Sequence, residues 1–101
     1  MTKHNNRHIH VYNVDTYLEQ INSKTTKETK IKFLSRAANC YYKAGGIKYM
    51  KRAIDLYGQV YDMQCEIRGY NDTRTYDVLR KIVDCEKRHE RLKSVKKIRK
   101  D

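Results

Sequence analysis

A chain of 101 residues with no proline, no tryptophan and four glycines has few places to interrupt a helix, which makes all-α the default class. With 39% hydrophobic and 35% charged residues it can bury one modest core, and no apolar run approaches the ~18 residues that a membrane span requires. The net charge of +11 favours polyanionic partners (nucleic acid, an anionic surface or an acidic protein) without choosing among them.

In chain order, residues 1–14 are polar and lack a helical period. They predict a flexible arm, with a short extended piece over Ile9 to Val14. Asp15 is placed to cap a short helix in which Tyr17, Leu18 and Ile21 lie three or four apart. Thr25 followed by Glu28 has capping-box spacing and opens the next helix. In it Ile31, Leu34, Ala38, Tyr41 and Gly45 trace one stripe; Phe33, Ala37, Cys40 and Ala44 trace another. Gly45 or Gly46 ends it.

A long helix follows from about Ile47 to Arg68. One seam is Ile47, Met50, Ile54, Tyr57 and Tyr61; a second is Tyr49, Ala53, Leu56, Val60, Met63 and Ile67. A helix apolar on two sides has neighbours on two sides. Gly58 within it predicts the close approach of another backbone. Gly69 closes the helix, Asn71 and Asp72 turn the chain, and Asp72 or Thr73 caps a last helix. That helix carries Val78, Leu79, Ile82, Val83 and Cys85, then His89, Leu92, Val95 and Ile98. The division expected is an arm over 1–14, a single helical domain over 15–92 and a basic tail over 93–101.

Within this layout Leu34, Ala37, Ala38, Tyr41 and Gly45, then Ala53, Leu56 and Tyr57, then Gly69 and Thr75, form a pattern. It resembles a tetratricopeptide repeat of the kinesin-light-chain type, over roughly residues 26–92. The resemblance implies a short array of antiparallel helical hairpins, with small residues at the helix crossing and tyrosines on its flanks. "YDVLRKIVDCEKRHERL" is similar to the first helix of a second repeat, with Val78, Leu79, Ile82, Val83 and Cys85 at core positions. There Glu86 stands in place of tyrosine and Glu90 in place of glycine, and no partner helix follows. About one and a half repeats leave an apolar face, to be covered by the N-terminal helix, a second copy or another protein.

No catalytic motif occurs, so no enzyme is expected. Cys85 and His89 share a helix face without an orienting third group or oxyanion donors. Cys40, Cys65 and Cys85 are too widely spaced for a zinc site and odd in number, so free thiols in a cytoplasmic protein are expected. A Thr-Lys-His start with His8 and His10 has copper-binding elements, but histidines in a polar arm are commonplace, and neither metal nor cofactor is assigned.

The expected function is that of a non-enzymatic module binding a protein or peptide, favouring an acidic one. The resemblance assigns the groove to Asn39, Tyr42 and Lys43, and in the second unit to Arg80, Asp84 and Lys87. The alternative is a small basic regulator that binds nucleic acid or targets a nucleoprotein, such as a phage or mobile-element inhibitor. That role would fall to Arg88, Arg91, Lys93, Lys96, Lys97, Arg99 and Lys100, in a C-terminal stretch where eight of sixteen residues are basic.

Overall fold

A computed structural model describes the backbone of residues 3–100 and the side chains of residues 10–95. The described residues form four helices and no strand: α1 (Lys3–Leu18), α2 (Lys27–Ala44), α3 (Ile47–Arg68) and α4 (Thr73–Lys100). Each helix packs on the next in the chain. Cross-helix contacts fix the antiparallel sense of α2 and α3. Arg68 at the end of α3 meets Glu28 at the start of α2, Tyr57 meets Asn39 in the middle, and Tyr49 stacks on Tyr41 beside the turn.

The α2–α3 crossing is built from small residues. Ala37, Ala38 and Ala53 are wholly enclosed, so the two backbones approach closely, while Leu34, Met50, Tyr57 and Val60 fill the space around them. Thr26 caps α2, its hydroxyl accepting from the Thr29 amide at 3.2 Å. The expected capping box is therefore displaced by one residue. Thr25 belongs instead to the preceding turn, where its hydroxyl accepts from the Asn22 amide. Glu28 does not reach back to the cap; both its oxygens take the Arg68 guanidinium, at 2.8 and 2.9 Å. Gly45, Gly46 and Gly69 hold φ of 74°, 85° and 86° with ψ near extended, a region that only glycine occupies without strain. Asp72 starts α4, accepting from the Arg74 amide at 2.8 Å.

Three expectations are corrected. The predicted arm is helical from Lys3 onward, with no extended piece over Ile9 to Val14, and Asp15 lies inside α1 rather than capping it. Its physical basis is an apolar stripe that begins earlier than Tyr17. Val11, Val14 and Leu18 are spaced three and four apart, and Val14 is completely buried in the core. Gly58 does not mark a close approach, since a Cβ there would meet nothing within 4 Å. Leu79 and Val83 are not core residues. The inward face of α4 is Thr75, Val78 and Cys85, all buried, while Leu79 and Val83 are 37% and 42% exposed.

Candidate binding groove

α2 and α4 both run antiparallel to α3, so they lie parallel to each other with a groove between them. Its floor is Tyr57 of α3, whose ring is buried and whose hydroxyl donates to Asn39 Oδ1 on α2. Burial raises the Tyr57 phenol well above its ordinary range, which keeps it a neutral donor. Above it, Tyr42 Oη donates to Asp84 Oδ2 at 2.6 Å, bridging α2 to α4. Arg88, one turn further along α4, places its guanidinium 4.7 Å from the Tyr42 ring centre, and its Nε lies 3.3 Å from the same carboxylate oxygen. The Tyr42 hydrogen bond, with Arg88, Arg91 and Lys87 nearby, holds the Asp84 carboxyl below the usual carboxylate range. The same bond raises the Tyr42 phenol.

The groove has two recesses. One, of about 250 Å³, is lined by Asn39, Tyr42, Tyr57, Arg80, Lys81 and Asp84. The other, of about 450 Å³ at the α2–α3 turn, is lined by Tyr42, Lys43, Met50, Arg88, Arg91 and Leu92 with Gly45 and Gly46. Five of the six groove residues expected from sequence line these recesses and the sixth, Lys87, does not. Asn39, Tyr42, Arg80 and Asp84 share the first recess and Lys43 lies in the second. Lys87 lies one step outward, with Arg80 and Asp84, beside the exposed Leu79 and Val83.

Of the residues expected to contact nucleic acid, Arg88 and Arg91 line the second recess and Lys93 is exposed beside it in sequence, 3.6 Å from Glu90. Lys96, Lys97, Arg99 and Lys100 lie on the helical backbone of α4, and their side chains fall outside the described residues. His4 and His8 fall outside them too, and among the described residues no cluster of metal-ligating side chains occurs.

Sequence reasoning missed Tyr57 and Lys81. Tyr57 has a core spacing, and only its hydroxyl, set against an asparagine on the neighbouring helix, signals a second use. Lys81 extends over the Tyr57 ring, with Nζ 5.7 Å from its centre. Cys85 lies beneath the groove, completely buried, and burial pushes its thiol up to about 11, opposite to the shift that activates a nucleophile. No family model, curated protein or solved structure matches the chain.

Proposed function

We propose that this chain is a non-enzymatic helical interaction module that takes an acidic protein segment into the groove between α2 and α4. The observation that carries this reading is the charge of the groove wall. Lys43, Arg80, Lys81, Arg88 and Arg91 line its recesses, while Asp84, the one acid lining either recess among the described residues, is already engaged by Tyr42 and Arg88. A parallel pair of helices over a third offers an extended segment a trough with hydrogen-bonding side chains at its base. The tetratricopeptide-like arrangement belongs to the same proposal, with α2 and α4 as equivalent helices of successive units, and so does a cytoplasmic setting. Among the described residues no helix is long and apolar enough to cross a membrane.

The test is fluorescence anisotropy with a labelled peptide rich in Asp and Glu. Binding is expected to weaken by about tenfold or more in Arg80→Glu or Lys43→Glu. Equal binding by both variants and the native chain would remove the groove.

A second reading, contact with nucleic acid, is favoured by the continuity of α4, which carries its basic positions to Lys100 on one helical rod. It predicts binding that falls steeply with salt and that survives Arg80→Glu better than replacement of Lys93, Lys96, Lys97 and Lys100.

A further inference from the structure

The recess at the α2–α3 turn differs from the rest of the groove. Lys43 comes from the last turn of α2, and Arg88 and Arg91 come from successive turns of α4. Among the described residues no acidic side chain lines the space of about 450 Å³ between them. Arg88 is already fixed in place by the Tyr42 ring and Asp84, so ordering it costs a ligand little. The other wall is the Gly45–Gly46 bend, where the absence of Cβ atoms leaves the backbone open to approach. That bend leads into α3, which has neither a capping side chain nor an acid in its first turn. The favourable end of the α3 dipole therefore adds to the three cations.

We infer that this recess is a binding site for a phosphate monoester, carried by the acidic segment that the groove receives. Arg88 shares the Asp84 carboxylate, so the three cations leave about two uncompensated charges, which match a group of charge about −1.5 to −2 better than a carboxylate or a phosphodiester, each at −1. The Arg91 guanidinium fork and the terminal nitrogens of Arg88, whose Nε faces Asp84, supply donors suited to phosphate oxygens. The walls also favour a side-chain phosphate over a nucleic-acid backbone. Met50, Leu92 and the Tyr42 ring give the recess an apolar flank, which suits a single side-chain phosphate better than a continuous charged backbone. The peptide part of this inference rests on the proposed groove; the anion site does not.

The experiment titrates the full-length chain with inorganic phosphate, following backbone amide and arginine Nε–Hε resonances, against chloride at matched ionic strength. Phosphate is expected to give saturable shifts at Gly46, Ile47, Lys48, Arg88 and Arg91. Lys43→Gln with Arg91→Gln should weaken this binding by about tenfold or more. Lys32→Gln with Lys51→Gln, which removes the same charge from exposed positions elsewhere, should not. Shifts that chloride reproduces, or that persist in the first double variant, overturn the site. A second arm compares one acidic peptide with serine or phosphoserine at its centre, in competition with a single-stranded oligonucleotide. Preference for the phosphopeptide supports the inference, and preference for the oligonucleotide overturns it. If phosphate saturates the site while neither peptide binds, the anion site stands and the groove reading fails.

Discussion

Tyr42 and Asp84, 42 residues apart on helices that are not consecutive, share a 2.6 Å hydrogen bond that joins α2 to α4 across the groove. The bond sets the ionisation of both partners, holding Asp84 low and pushing Tyr42 up. A carboxyl depressed in the folded state contributes stability above its unfolded value, and that contribution disappears as pH falls through the folded value. Tyr42→Phe removes the donor, so the Asp84 carboxyl is expected to titrate at higher pH, as followed by side-chain carboxyl carbon shifts. Acid unfolding of Tyr42→Phe should also show a shallower loss of stability below about pH 4. An unchanged Asp84 titration would mean that Arg88, Arg91 and Lys87 set it alone.

The alkaline limb has a different origin. Cys85 is buried with its thiol raised from near 9 to about 11. Between these values the unfolded chain releases a proton that the folded chain keeps. Stability therefore falls as pH rises above 9, at up to about 1.4 kcal/mol per pH unit for this group. Tyr57, also raised by burial, adds to the same slope above about pH 10. Urea unfolding at stepped pH should show Cys85→Ala with a flatter profile between pH 9 and 10, whatever its absolute stability. An identical slope would show that Cys85 is solvated enough to ionise freely.

How much of this was legible in the sequence depends on whether a feature is local. The Gly45–Gly46 and Gly69 bends, the Asp72 cap and the alanine-lined crossing follow from residue type and spacing, because backbone conformation and helix period are short-range properties. The proximity of Asn39, Tyr42, Arg80 and Asp84 was legible as register, since residues 41 to 45 positions apart fall on facing sides of α2 and α4. The first part of helix α1, ahead of the short helix expected after Asp15, was missed because asparagine and histidine dilute its stripe; the docking of Val11, Val14 and Leu18 against the core reveals it. Leu79 and Val83 were misplaced for the converse reason. Their spacing is that of a core face, but no other described helix packs over them and both stay partly exposed.

Gly58 offers a direct gain in stability. It lies in the interior of α3, where glycine costs helix stability through the conformational freedom of the unfolded chain. A methyl group there meets nothing within 4 Å, so no packing penalty opposes the gain. Gly58→Ala is expected to raise the free energy of unfolding by about 0.5–1 kcal/mol, read as a higher urea midpoint with unchanged m. A lower midpoint would reveal a neighbour packed closely against that part of α3.

The sharpest mechanical contrast lies between two valines on adjacent helices. Val60 on α3 is completely enclosed within the shared core; Val83 on α4 is 42% exposed, beside Leu79 and Tyr76 on the outer face. Truncating Val60 to alanine removes two methyl carbons from a packed interior and leaves a void, at a cost of about 1–3 kcal/mol. The same truncation at Val83 removes surface already half in water, so the loss should be about 0.5 kcal/mol or less. Chemical denaturation of Val60→Ala and Val83→Ala at low protein concentration measures the difference. If α4's outer face were covered by a second copy, the Val83→Ala penalty would grow with concentration, because the monomer and the assembly would then differ in what that side chain touches. A cost at Val83 equal to that at Val60 and independent of concentration would instead place the outer face inside the monomer's core, and the setting of Arg80, which borders both that face and the groove, would have to be redrawn.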